Sequence, residues 1–415
     1  MNRVLIAWEL GGNWGHLART LPIALALRSR GHEVHFAVRD VRTAALFLGP
    51  HGFAMTVAPL TVVPPTPLAA PENYAGVLWT QGYGERESLR DQVNTWMELI
   101  QELQPDVVVA DFAPGAMLAA IGAGMPAIPI GSGFEVPPPT HPLPSIRPWQ
   151  ETPIERLAKV DDALLEVMND VLVQVGADPL PGLSALFPQR RTAVTTFPEL
   201  DHLGATEGHN YAGPIYCTPP GALRVRWAQP RGLRILAYLR PGTRGLAAML
   251  AELRTMGEVI ACIPDLPARL QATLGSSQTY AQPLQLEYLL PEADMMVNNG
   301  SLTTSTRALL AGVPVLSLPN VVEQQLGSLR MRQFGAGLIA DHGRSRKMLG
   351  VLARELLQPS FRRRARQFAQ RYANESVSRS VARVITVIEA AARESLNDVR
   401  PPDSRCLQMP SPGPR

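Results

Sequence analysis

Short apolar runs alternate with amphipathic stretches along most of the chain. Arg3-Val-Leu-Ile-Ala-Trp8 is an apolar run of strand length. A glycine-rich turn and a helical pattern over residues 17–30 follow, with Gly31 suited to end the helix and residues 33–38 forming a second strand. Strand, helix, strand in that order is a βαβ unit with parallel strands. Continuous rather than alternating apolar strands are those buried on both faces of a sheet, and residues 105–111, Pro-Asp-Val-Val-Val-Ala-Asp, form another. The pattern restarts at residue 233, with strands at 233–239 and 259–263 and helices near 246–255 and 266–274. Residues 295–297 then read as strand, 298–304 as a small polar turn, 304–311 as helix and 315–318 as strand. Gly312 is placed to end the helix and Pro314 to prevent its return. Further helices are expected at 151–175, 345–357, 360–372 and 377–396. The pattern predicts an α/β chain of two Rossmann-like, doubly wound parallel-sheet domains.

A length of 415 residues agrees with two cores of about 200 residues each. The expected division is a first domain over 1–215, a polar linker over 216–232 and a second domain over 233–375. A last helix over 376–397 would cross back to the first domain, and a proline-rich tail over 398–415 is expected to be disordered. The 46% hydrophobic and 18% charged composition is globular, and a net charge of +3, scattered along the chain, disfavours nucleic acid as a partner. The 39 prolines are roughly twice the usual share and imply long loops. Three separated cysteines give neither a metal-ligand spacing nor a disulfide framework, so a reducing cytoplasm is expected. The uncharged run 112–134 is long enough to span a bilayer, but Pro114, Pro126 and Pro129 break it and favour a helix followed by a strand.

Candidate chemistry sits where these strands end. Glu9-Leu-Gly-Gly-Asn-Trp-Gly-His16 follows the first strand and lacks the Gly-x-Gly-x-x-Gly spacing of a dinucleotide site. His16 falls at the rim of the sheet, where a neutral imidazole suits general-base chemistry. Asp111 ends a strand of the same sheet on the same edge and is placed to orient such a base; its other reading is a cap for the helix near Pro114. Glu9 is a weaker carboxylate candidate. Glu155, Asp161, Asp162 and Glu166 read as a solvated helix face. In the second half, the turn 298–304 offers free backbone N–H groups at a helix start, a favourable place for a phosphate. Glu323-Gln324 follows the next strand on the same rim.

The segment 294–324 resembles the donor-binding signature of the UDP-glycosyltransferase family, which includes the bacterial macrolide and glycopeptide glycosyltransferases. Gly300, Thr304, Ala308-Leu309, Gly312-Val313-Pro314, Pro319 and Glu323-Gln324 fall in register. Asn299 replaces the family's His, Ser301 and Thr303 replace two glycines, and Arg307 replaces a Glu that tends to grip ribose hydroxyls. The resemblance implies the GT-B architecture, two domains facing a cleft, and an inverting, metal-independent transfer of a sugar from a UDP- or dTDP-sugar to a hydroxyl of a small-molecule acceptor. It implies His16 as base and Asp111 as its partner. It further implies a donor site of Gln282, Leu284, Asn299, Gly300, Ser301, Thr303, Thr304, Glu323 and Gln324, and Arg240, standing where the family has a small Gly-Ser or Gly-Thr pair, is placed to meet a pyrophosphate with its guanidinium. Trp14 in the first turn, with Trp79 and Phe134 in the proline-rich loops, are the candidate acceptor contacts. No metal and no cofactor beyond the sugar nucleotide are expected; no Asp-x-Asp occurs to hold a metal-bridged diphosphate. A monomer or homodimer is expected. The altered phosphate turn also fits a second reading, a degenerate transferase kept as a non-catalytic binding subunit.

Overall fold

A computed structural model describes residues 1–12, 14–63, 70–228, 232–274, 278–340 and 346–398. Outside them fall Asn13 of the first turn, residues 64–69 of a proline-rich loop, 229–231 of the linker, Ser345 at the start read for one helix, and the tail from residue 399 on. Six strands make the first sheet: β1 (Arg3–Trp8), β2 (Glu33–Val38), β3 (Ala54–Val57), β4 (Val107–Asp111), β5 (Ala127–Gly131) and β6 (Ala193–Val194). Six make the second: β7 (Arg234–Tyr238), β8 (Glu258–Cys262), β9 (Thr279–Tyr280), β10 (Met295–Asn298), β11 (Val315–Ser317) and β12 (Gly337–Ile339). The orders are β3-β2-β1-β4-β5-β6 and β12-β11-β10-β7-β8-β9, so both sheets follow one winding, third-second-first-fourth-fifth-sixth when each domain's strands are counted so that β7 is its first, apart from the direction in which the two arms are numbered. Each therefore has a switch point where the chain reverses its winding direction, β1 beside β4 and β10 beside β7. All neighbouring strands run parallel. These switch points are where open α/β sheets hold ligands.

Period-two alternation divides each sheet between two cores. In β1, Leu5 and Ala7 pack with α4 (Arg86–Leu103), α5 (Pro114–Gly122) and α6 (Ile154–Gln174), while Val4, Ile6 and Trp8 pack on the opposite face against α1 (Gly15–Ser29) and α2 (Val41–Leu48). In β7, Ile235 and Ala237 face α7 (Leu246–Arg254) and α11 (Arg346–Leu356), and Leu236 faces α9 (Leu302–Leu310) and α12 (Pro359–Arg371). The last helix, α13 (Val377–Asp398), belongs to the first domain's core: Val381, Val384, Ile385 and Ile388 are buried against that sheet's α1 face. Arg30 to Glu389 at 3.0 Å and Arg191 to Glu394 at 2.7 Å fix its outer edge. Burying each such Val or Ile contributes about 1.5–3 kcal/mol, far more than the exposed ion pairs.

Three expectations change on the first domain. The loop region before residue 94 holds the short helix α3 (Tyr74–Thr80) as well as most of α4. Asp161 does not belong to a solvated face: it is buried, accepting from Asn73 Nδ2 at 2.7 Å and Leu143 N at 2.6 Å, and so ties α6 to two loops. Asp111 does not cap α5, whose first N–H groups, Gly115 and Ala116, donate instead to Glu9. The uncharged run 112–134 divides into α5 and β5, and among the described residues no helix is long and apolar enough to cross a membrane.

Candidate functional site

The two switch points open into one cavity of about 350 Å³ between the domains. On the first domain, β1 ends at Trp8 directly beside Asp111 of β4, and α1 begins seven residues later. His16, in the first turn of α1, is 8% exposed, and its ring lies between Trp8 (centroids 5.2 Å apart) and Phe112 (6.5 Å). His16 Nδ1 lies 3.0 Å from Asp111 Oδ1 and 3.2 Å from Arg19 Nη2. A carboxylate only accepts and a guanidinium only donates, and Arg19 has carboxylate acceptors of its own, so the proton is assigned to Nδ1, donating to Asp111. Nε2 then keeps its lone pair at the glycine turn. A Cβ on Gly11 would meet Nε2 at 2.4 Å, and Gly11 sits at φ +75°, so the turn admits only glycine there.

Arg19, one turn further along α1, reaches both Asp111 and Glu135; its Nη2 donates to Glu135 Oε1 at 3.0 Å. Glu135 also accepts from the backbone N–H and hydroxyl of Ser132. Burial works against the Glu135 charge, but Arg19, His16 and Ser132 outweigh it and hold its carboxyl down at about 2. For Arg19 burial opposes the charge, and Asp111 and Glu135 overcome it and raise its value further. One donor atom each of His16, Asp111 and Glu135 lie within 4.8 Å of one another, as for a divalent ion, yet the Arg19 guanidinium already pairs with both carboxylates.

On the second domain the turn after β10 is built by Asn298, whose Oδ1 accepts from Gly300 N at 2.6 Å and whose Nδ2 donates to Ser305 at 3.0 Å. Gly300 takes φ +80°, against the backbone of Gln324 and the hydroxyl of Ser328. α9 starts at Leu302 with no side-chain cap and no acidic residue in its first turn. The backbone N–H groups of Ser301, Leu302, Thr303 and Thr304 have no partner among the described residues, so the positive end of α9 faces the cavity. Arg240, exposed, follows β7 on the same wall. Arg307, further along α9, pairs with Glu287 at 2.9 Å and lies over the Tyr216 ring at 4.9 Å. Glu323 is half-buried in the first turn of α10 (Val322–Phe334), and burial, with Glu135 across the cleft, raises its carboxyl against the pull of His202.

No protein-family model matches the chain. Among curated proteins it is 27% identical over 391 residues to the PGL/p-HBAD biosynthesis rhamnosyltransferase of Mycobacterium bovis (strain BCG / Pasteur 1173P2), covering 87% of this chain and 82% of that one. Among solved structures it superposes on the glycosyltransferase VinC in complex with dTDP, with TM-score 0.68 and 19% identity over 94% of this chain and all of that one. It superposes likewise on the spinosyn rhamnosyltransferase SpnG complexed with thymidine diphosphate, with TM-score 0.66 and 19% identity over 93% of this chain and all of that one. The chain is a GT-B glycosyltransferase.

In this glycosyltransferase His16, Trp14, Arg240, Leu284, Asn299, Ser301, Thr303, Thr304, Glu323 and Gln324 line the one cavity. Asp111 stands behind His16, and Gly300 beneath the turn it shapes. Gln282 does not reach the wall; its carbonyl accepts from the Cys262 thiol at 3.4 Å. Two acceptor candidates are corrected. Trp79 lies in α3, packed so closely over Gly84 that a Cβ there would meet its indole at 2.5 Å. Phe134 meets Phe112 and His202 edge-on, at 6.3 and 6.1 Å, instead of lining the cavity. Both aromatics anchor their loops. Asn299 lines the cavity, but its amide is used internally: Oδ1 accepts from Arg240 N at 2.8 Å, and Nδ2 donates to Leu318 O at 3.0 Å and Thr243 at 3.1 Å. Sequence reasoning missed Arg19, Glu135 and Thr196. Arg19 carried a usable signal, a cation three residues after His16 on the same helix face. The Thr196 hydroxyl, on the cavity wall, has no partner among the described residues.

Proposed function

We propose that the glycosyltransferase moves a sugar from a dTDP-sugar to a hydroxyl of a small organic acceptor with inversion and without a metal. The observation that carries this is the shared cavity, with the His16–Asp111 pair on one wall and the uncapped start of α9 on the other. His16 Nε2 removes the acceptor hydroxyl's proton. The oxygen forms a bond to the anomeric carbon as the bond from that carbon to the diphosphate breaks on the opposite face. The electron pair leaves with the diphosphate, whose charge meets the free N–H groups of residues 301–304 and the Arg240 guanidinium. Displacement from one face inverts the centre. Asp111 keeps the tautomer and stabilises the imidazolium.

The choice of dTDP over UDP is supported by Arg307. Where the resembling family has a ribose-gripping Glu, this chain has a cation engaged by Glu287 and Tyr216, and a deoxyribose forfeits no contact there. VinC and SpnG were solved with that diphosphate. SpnG was also solved with its spinosyn aglycone, and the mycobacterial relative is named for rhamnosyl transfer in PGL/p-HBAD biosynthesis; both support an organic aglycone here. Thermal-shift titration with dTDP and UDP, followed by nucleotide release from dTDP-sugars, tests the reading. Stabilisation by dTDP with turnover that depends on His16 is expected. Binding of dTDP with turnover indifferent to His16→Ala would identify a binding subunit instead.

A further inference from the structure

We propose that Arg19 and Glu135 are positioning residues that set the pH range in which His16 works, by fixing the charge of the pocket around it. This rests on reading His16 as the acceptor's base. The buried groups that touch it are Asp111 from the end of β4, Arg19 from its own helix and, through Arg19, Glu135 from the loop after β5. Glu323 faces it from α10 across the cleft, with His202 nearby.

Charge counting gives the argument. Arg19 is positive and both carboxylates are negative, so one surplus negative charge surrounds a neutral imidazole. When the imidazole takes the acceptor's proton, the cluster becomes neutral. Little water screens these charges, since the side chains of His16, Arg19, Asp111 and Glu135 are exposed by 11% or less. Without Arg19 two buried carboxylates would face His16, and the proton would reside on the ring before any acceptor arrived. Without the Glu135 charge, Arg19 would offset Asp111, and the imidazolium would lose the surplus negative charge beside it. The geometry supports a division of labour. Asp111 aligns the ring, Arg19 offsets one carboxylate, and Glu135 restores the single negative charge while steering Arg19.

The test measures donor hydrolysis, with water as acceptor and dTDP-rhamnose as probe, across pH in the full chain. Arg19→Gln is expected to move the acid limb of kcat/KM up by roughly one pH unit, and Glu135→Gln to move it down by roughly one unit, as for removal of a neighbouring charge. Arg19→Lys keeps the charge and is expected to keep the limb. Thermal shift with dTDP reports folding, since neither residue touches α9. Should Arg19→Gln fail to fold, the unchanged limb of Arg19→Lys and the lowered limb of Glu135→Gln decide the matter. Limbs that stay fixed, or move in the same direction in both Gln variants while His16→Ala is inactive, overturn the proposal alone. A limb that persists in His16→Ala overturns the reading of His16 as base, and the proposal with it.

Discussion

The two rims are built on one topology and hold opposite chemistry. At the first switch point the polar groups are side chains that satisfy one another: imidazole on carboxylate, carboxylates on guanidinium. At the second they are backbone amides with no partner among the described residues, and the Asn299 side-chain amide is tied into the scaffold. The difference follows from what each rim must handle. A proton acceptor has to be held in one tautomer and one protonation state, which takes specific side chains in a dry, charge-balanced pocket. A diphosphate needs only fixed positive potential, which a helix start supplies whatever its residues are. Chemistry at the second rim is thereby insulated from side-chain changes such as Asn299 and Arg307.

Removing the imidazole is the largest available break between the rims. His16→Ala is expected to slow transfer by about 10²–10⁴-fold, the usual worth of a positioned general base. The affinity for dTDP, measured by calorimetry, should stay within about twofold, because the diphosphate contacts lie on the other domain. A comparable loss of dTDP affinity would show that the two rims do not divide the work.

The next break concerns two buried carboxylates of the first domain, Glu9 and Glu135. Glu9 is held by Tyr83 and by Gly115 and Ala116 N–H, and burial, which outweighs those bonds, raises its carboxyl from an ordinary 4.5 to about 7. The folded state therefore keeps a proton that the unfolded chain releases. The stability this gives is complete below about pH 4.5 and is lost as pH rises through about 7, a fall on the order of 3 kcal/mol. Glu135 has the opposite sign: its carboxyl is lowered to about 2, so its contribution is present above 4.5 and lost as pH falls toward 2. Chemical denaturation of Glu9→Gln from pH 4.5 to 8 should lack the decline that the parent shows over 4.5 to 7. An unchanged decline would mean that Glu9 is not its source.

Which features were legible depends on how locally they are encoded. Both sheets, and His16 and Asp111 at a shared rim, followed from apolar runs and from where those runs end; the strand order that makes the switch points did not. Arg19 was passed over because a single arginine on a helix ordinarily faces water; its two acceptors lie 92 and 116 residues away. Trp79 and Phe134 were misplaced because an aromatic in a long loop can line a pocket or anchor the loop, and only packing decides between them. Asp161 misled for the same reason, its partners lying in other loops. Asn299 occupied the anticipated place without the anticipated role, since its bonds run to segments 59 and 19 residues away.

That role for Asn299 can be separated from phosphate contact. Asn299→Ala would orphan Arg240 N–H and Leu318 C=O at a buried position, costing about 2 kcal/mol. Thermal denaturation without any nucleotide should record the loss. A variant as stable as the parent but with weaker dTDP affinity would instead assign the amide to the ligand.

The smallest change acts on the backbone of the second rim alone. Gly300 holds φ +80°, and a Cβ there would meet the Ser328 hydroxyl at 2.6 Å and the Gln324 carbonyl at 2.8 Å. Gly300→Ala must therefore shift the turn or the start of α10, at about 1–2 kcal/mol for the left-handed backbone in an L-residue. A shift of this kind tilts the free N–H groups of residues 301–304 away from the diphosphate. If those amides are the anion site, dTDP affinity should fall by about tenfold, which is 1.4 kcal/mol. In dTDP-sugar hydrolysis at saturating donor, kcat should fall as well, since the same amides meet the charge of the leaving diphosphate. Retained affinity together with retained kcat would transfer the anion-binding role from the helix start to Arg240, and the two rims would then both depend on side chains.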